Sequence, residues 1–366
     1  MKLKITRAKL LNGINAVAGI NKGVQMQVLR NMRLDAVAGY LSLTTTNLDL
    51  QVVFRTKAEV EDTGDILMDS AFLARFVTAM PEGVVTIEAE KDKMAHITGG
   101  EVNYHLATDD PANFPAMATA DTDDKDKTLF IPCMTLAEMI RKVRFAASTD
   151  ETRRSLMGVN LKHADGRLVA TATSGRSLAT VNYGTNGGED FEATIPSASV
   201  AILSRLLAKT EDVGDCGIRM SGPVVRFATA DWCVTTKRID DIYPNWKRVV
   251  PESNSKSATF NRATFLLELQ RAAAATAGEQ LGVSVTFANG KIMFDAKSQQ
   301  TRAKIDMVAK YEGETVTFHL DPALLAPALD CIEENEMTAE FNDGSSAIVL
   351  VCSIPWLAVI MPLRKI

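Results

Sequence analysis

The sequence predicts an α+β protein made of three tandem copies of one domain, and three observations predict it. One order of apolar patterns runs along the 366 residues three times: a strand-like lead-in, a helical stripe, a Gly-turned pair of alternating strands, and a second helix. The copies keep register, since Leu29, Leu156 and Leu281 begin the strand pairs 127 and then 125 residues apart, and Ser70, Ser197 and Pro322 begin the second helices at the same intervals. Polar joints separate the copies at Asp121–Lys127 and Pro251–Ser257. A fixed internal period of this kind governs the whole fold, and a chain of this length exceeds what one core usually serves.

The first helix of each copy shows its buried face through a 4-then-3 spacing: Leu10, Ile14 and Val17; Leu136, Ile140 and Val143; Phe265, Leu269 and Ala272. That period matches a helix with one apolar stripe. Next come three hairpins, turning at Ala38-Gly39, Asp165-Gly166 and Asn289-Gly290, because two-residue turns need positive φ that Gly and Asn tolerate. The second helices open on Ser70, Ser197 and Asp321-Pro322; the serines are expected to cap, and Pro suits the first helical position. Half-polar strands between helices suit antiparallel sheets with helices on one face. The domains predicted are 1–122, 128–250 and 257–366.

Apolar residues at 46% and charged residues at 23% describe a compact globular chain. No run approaches the roughly 18 apolar residues of a membrane span, and the start lacks a signal-peptide pattern, so a cytoplasmic location is expected. The five cysteines and four histidines are scattered, with no C-x-x-C pair; free buried thiols and no metal or other cofactor are expected. A net charge of −5 argues against a general nucleic-acid coat. DNA contact would need a segregated basic face. Arg7, Lys9, Arg75, Arg141, Lys142, Arg205, Lys209 and Arg271 fall on the predicted helices or their ends, and Arg141 and Arg205 are expected to be exposed there. A solvated helix face is the bland reading of any one of them; their shared placement across copies favours an anionic partner.

In the second copy, Thr152-Arg153 through Leu156-Met157-Gly158-Val159, the turn and strand Asp165-Gly166-Arg167-Leu168 to Gly175, and the stretch Ile242-Tyr243-Pro244-Asn245-Trp246-Lys247-Arg248-Val249-Val250-Pro251 resemble motifs of the bacterial DNA polymerase III beta sliding clamps. The ending Val359-Ile360-Met361-Pro362-Leu363-Arg364 resembles that family's V-M-P-[ML]-R. The resemblance covers the whole chain. It implies a homodimeric ring of six such domains around duplex DNA, with helices lining the hole and sheets outside. It also implies partners that insert a short peptide between domains 2 and 3: the polymerase III catalytic subunit, clamp-loader subunits and other proteins carrying the motif.

Carried over residue by residue, that peptide pocket would comprise Leu156, Thr173, Gly175, Arg176, Leu178, Pro244, Arg248, Val249, Leu281, His319, Val359, Ile360, Met361, Pro362, Leu363 and Arg364. The aliphatics would make an apolar slot, and Arg248 and Arg364 would meet an acidic or carbonyl group. Lys22, Arg153 and Arg154 would join the DNA-facing set, the last two standing where family members carry aromatics and so favouring phosphate over base contact. Tyr104 and Leu106 on domain 1, with Ala275 and Thr276 on domain 3, would form the dimer contact. Ser174-Gly175-Arg176-Ser177-Leu178 departs from the family's Asp-Gly-His-Arg-Leu.

Three rival readings remain. An enzyme is poorly served, since the chain has no Walker, G-x-S-x-G or H-E-x-x-H motif and its paired acids Asp109-Asp110 and Asp240-Asp241 read as solvated turns. The other rivals are a divergent clamp copy serving repair or a mobile element, and a three-repeat scaffold without a DNA role.

Overall fold

The structure is a computed structural model and describes residues 1–89, 93–115, 117, 127–209, 214–276 and 282–364. Among them six α-helices stand where the stripes place them: α1 (Arg7–Val17), α2 (Ser70–Ala79), α3 (Cys133–Val143), α4 (Ser197–Leu207), α5 (Arg262–Ala273) and α6 (Pro322–Asp330). All nine stripe residues of α1, α3 and α5 are buried. The caps differ from expectation in one respect. Asp69 accepts from the Ala71 and Phe72 amides at 2.9 Å and caps α2, while the Ser70 hydroxyl donates to the Arg30 carbonyl. Ser197 likewise spends its hydroxyl on the Met157 carbonyl, at 2.9 Å. A carboxylate one residue earlier is the better cap for α2, because it adds charge at the positive end of the helix. Asp321 caps α6, with Pro322 in its first turn as expected.

The three hairpins pair Asn31–Val37 with Tyr40–Thr46, Gly158–Ala164 with Arg167–Thr173, and Val283–Ala288 with Lys291–Lys297. Ala38 and Gly39 take φ of 50° and 81°, and Asp165 and Gly166 take 52° and 68°, the left-handed values a two-residue turn demands.

The chain forms two compact units. The first holds residues 1–134, 187–189 and 205–238, and its thirteen-stranded sheet runs from the first copy into the second. Leu50–Lys57 pairs antiparallel with Trp232–Lys237, which leads on through Val224–Ala228 and Asp215–Ser221 to Leu129–Pro132. The second unit holds residues 135–186, 190–204 and 239–366. Its eight-stranded sheet joins the rest of the second copy to the third, through Ser177–Gly184 paired with Trp356–Ile360. A four-stranded sheet, Arg302–Val308 to Val316–Leu320, completes it. The middle copy is thus one unit of sequence but not one compact body: each of its sheets continues the sheet of a neighbour, because a half-buried edge strand is stabilised by any strand that completes its ladder.

Candidate functional site

The expected pocket residues that the structure describes lie in the second unit, around the strand pair Ser177–Gly184 and Trp356–Ile360. Leu281 lies outside the described residues. The ladder sets Ser177 against Ile360 and Leu178 against Val359. Beyond it the chain stays tied, since the Met361 amide donates to the Arg176 carbonyl at 2.9 Å and the Leu363 amide to the His319 carbonyl at 2.7 Å. The turn feeding the first strand is closed by its own side chains. Thr173 donates to the Ser177 carbonyl at 2.7 Å, the Ser174 and Ser177 hydroxyls meet at 2.9 Å, and Gly175 takes a φ of 82°.

This scaffold sorts the expected residues into a floor and a lip. Leu156, Thr173, Leu178, Val359 and Ile360 are buried. Leu178 and Val359 pack with Val349 into a core cluster covered by Trp246, Val250, Val351 and Leu357; each such aliphatic contributes about 1.5–3 kcal/mol by burial. Ile360, at 0% exposure, is core rather than a contact residue, because its ladder position turns it inward. The exposed members, called the lip, are Gly175, Arg176, Pro244, Arg248, Val249, Met361 and Arg364, and His319, Pro362 and Leu363 are half-buried. Met361 and Val249 are 41% and 58% exposed, an apolar surface that water does not reward. Arg248 and Arg364 are exposed, and Arg176 is paired with Asp321 at 2.9 Å.

Sequence reasoning missed three contributors. Gly282 makes room: a Cβ there would stand 2.7 Å from Leu363 Cδ1 and 2.8 Å from His319 Nε2. Ile242, 94% exposed, projects beside Pro244; an isolated aliphatic between Asp240-Asp241 and a proline was its signal. Arg153, expected among the DNA-facing residues, also touches this turn: it is exposed, donates to the Ser174 carbonyl at 3.3 Å and approaches Asp150 at 3.7 Å. A groove of about 590 Å³ on the same unit is lined instead by residues that include Lys162, Arg167, Trp246 and Trp356, none of them among the expected pocket residues.

The helix cations divide sharply. Arg7, first in α1, donates to the Val77 and Thr78 carbonyls at 3.0 and 2.8 Å and so closes the end of α2. Its counterpart in the third copy, Arg262, closes the end of α6 through the Leu329 and Glu334 carbonyls. Arg205 donates to the Ala16 and Ala18 carbonyls at the end of α1, at 2.9 and 3.0 Å, and burial pulls its guanidinium pKa down. Arg141 donates to the Cys331 carbonyl beyond α6 and to Glu333, both at 2.9 Å. Lys142, half-buried, bonds Glu138 at 3.1 Å. Orphan carbonyls at helix ends are strong local acceptors and hold Arg7, Arg141 and Arg205, while Glu138 holds Lys142; Arg141 and Arg205, expected to be exposed, are half-buried. Lys9, Lys22, Arg154 and Lys209 are exposed. Arg75 is exposed over the Phe72 ring and Arg271 is exposed beside Glu268.

The expected dimer residues divide too. Tyr104 is half-buried and stacks on Phe76, centroids 4.2 Å apart, with Phe72 exposed nearby on α2. Leu106 and Thr276 are buried, and Thr276 donates to the Ala273 carbonyl at 3.0 Å. Inward strand alternation accounts for the burial of the first and the bond to the preceding helix turn for that of the second. The strand Val102–Asp109 is paired on one side over Val102–Ala107 and on its other side with Leu67 and Met68 at Thr108 and Asp109. Arg302–Val308 is an edge strand of its sheet.

Profiles of three protein domains match the chain in series: the N-terminal domain of the DNA polymerase III beta subunit over residues 1–118, the central domain over 130–245 and the C-terminal domain over 247–364. A beta sliding clamp of Synechocystis sp. is 26% identical over the full length of both chains, as is one of Caulobacter vibrioides. The crystal structure of a DNA polymerase sliding clamp from Bacillus subtilis superposes with a TM-score of 0.93 at 22% identity, covering both chains fully.

Proposed function

The chain belongs to the DNA polymerase III beta subunit family, and from that membership we propose that two copies close head to tail into a ring that encircles duplex DNA and slides along it. It is a DNA sliding clamp and a non-enzymatic processivity factor. The observation that carries the reading is the unbroken series of three clamp-domain matches along one chain. The three domains are taken as residues 1–122, 128–250 and 257–366, in the cytoplasm of a bacterial cell. Among the described residues no helix is long and apolar enough to cross a membrane.

Head-to-tail closure is supported by one strand edge in each unit. Val102–Ala107 has an unpaired side among the described strands, next to the aromatic group Phe72, Phe76 and Tyr104, and Arg302–Val308 ends its sheet. Such edges invite a strand from another chain. DNA would be held without base readout through Lys9, Lys22, Arg75, Arg154, Lys209 and Arg271, in keeping with phosphate contact. The polymerase catalytic subunit, clamp-loader subunits and other motif-bearing partners would lay a peptide over the lip of Pro244, Val249, Met361 and Leu363, with Arg248 and Arg364 meeting its polar ends. No observation favours the scaffold or divergent-copy alternative.

The test is topological. The protein is loaded on nicked circular DNA with a clamp loader and ATP, and the circle is then cut. A ring slides off the free ends; retention after cutting would refute encirclement. In solution, a mass of about twice the chain's is expected from two-fold closure, and a strict monomer at micromolar concentration would count against it.

A further inference from the structure

The histidines are scattered in sequence, yet the sheet of the first unit brings two together. His96 on Met94–Gly99 and His105 on Val102–Asp109 are direct cross-strand partners. Residues so opposed share a face, with Cβ atoms about 4.5–5.5 Å apart. Their ring centroids are 4.3 Å apart with planes inclined by 70°. The face is the outer one, since the alternate residues Ala95, Ile97 and Leu106 are buried while His105 is exposed and His96 half-buried. The row continues inward: His96 is also partnered by Glu88, and Glu88 by Lys2.

We propose that His96 and His105 together form a binding site for a divalent cation of the copper, nickel and zinc class, with water in the remaining positions. Imidazole suits these borderline cations. Metal–nitrogen bonds of about 2.0–2.1 Å place two ligating nitrogens roughly 3 Å apart, a spacing two neighbouring rings reach by rotating the exposed His105. Glu88, one strand spacing beyond His96, offers negative charge that a dication prefers, shared with Lys2 at 3.4 Å. Among the described residues no three His, Cys, Asp or Glu side chains gather as a metal site, so the protein supplies two ligands. Magnesium and calcium, which want several oxygens, are excluded by that donor set. A strand added at the open edge of Val102–Ala107 lies in the sheet plane and leaves this face free, so the site does not depend on ring closure.

The test is calorimetric titration of the intact protein with Ni²⁺ at about pH 7.5, beside Mg²⁺. One saturable Ni²⁺ site per chain and no Mg²⁺ heat are expected. His96→Asn and His105→Asn should each weaken Ni²⁺ by about a hundredfold, the upper range for losing even an indirect partner of a ligand, and His319→Asn should not. Thermal unfolding without metal checks that the variants fold. Should one fail to fold, paramagnetic Ni²⁺ on the unaltered protein must broaden the His96 and His105 ring signals before those of His163 and His319. Unchanged Ni²⁺ affinity in both variants, or broadening that begins elsewhere, overturns the proposal.

Discussion

The exposed lip around Met361 and the helix ends use similar side chains in opposite ways. At the lip, backbone groups are tied by the ladder and by the Met361 and Leu363 amides, so Met361, Val249, Arg248 and Arg364 are left over and exposed. At the helix ends, backbone carbonyls are the groups left over, and Arg7, Arg141, Arg205 and Arg262 are drawn in to satisfy them. The difference teaches that a side chain is available to a partner only after the local backbone has been satisfied. Exposed charge and exposed apolar surface therefore both mark sites where the chain has no further use for the group.

The largest break in this comparison comes from the backbone of the lip's own sheet. Gly158→Ala would place a Cβ 2.1 Å from the Ile195 carbonyl oxygen, in a ladder that pairs Gly158 with Pro196. Urea unfolding should register a loss of about 3 kcal/mol, at the upper end for overpacking; a loss below about 1 kcal/mol would show that the ladder yields.

Arg205→Ala should remove about 2 kcal/mol of stability, as expected when charged hydrogen bonds to two carbonyls go, while Lys209→Ala should stay within about 0.5 kcal/mol. Their effects on DNA should run the other way. Lys209→Ala should reduce the salt slope of binding by about one, and Arg205→Ala should not change it. The same argument makes the paired change of Arg141 and Arg205 to Glu a folding defect and not a clean DNA-binding variant.

At the lip, Met361→Ala should weaken a partner peptide by about 1–2 kcal/mol, as for an apolar anchor, with stability shifted by less than about 0.5 kcal/mol. Fluorescence anisotropy with a labelled clamp-binding peptide, alongside a thermal melt, separates the two. Equal loss of both would place Met361 in the core.

The smallest effect belongs to an arginine with neither use. Arg302 bonds Asp295 at 2.6 Å, and this hydrogen bond holds the Asp295 carboxyl below its usual pKa. A depressed folded value means the stabilisation is present above the unfolded pKa near 4 and lost as pH falls below it. The pair is largely exposed, so Asp295→Asn should lower stability at neutral pH by less than about 1 kcal/mol. Melts from about pH 7 to pH 3 should show the gap between the two proteins closing at the acid end.

The sequence by itself determined the triplication, the six helices and the hairpins, and its family resemblance named the segments of the proposed lip. These are carried by local periodicity, by turn residues and by short motifs such as Val359–Arg364, none of which needs a distant partner. Only the tertiary structure decided which cations are free, because Arg205 and Ala16 are 189 residues apart and Arg141 and Cys331 are 190 apart. It alone showed that the middle copy shares its sheets with both neighbours, that Ile360, Leu106 and Thr276 face inward, and that His96 and His105 stand side by side. The reason is common to all four. A sequence pattern reports the environment a residue prefers, but which long-range backbone group or strand meets it depends on loop closures the pattern does not encode.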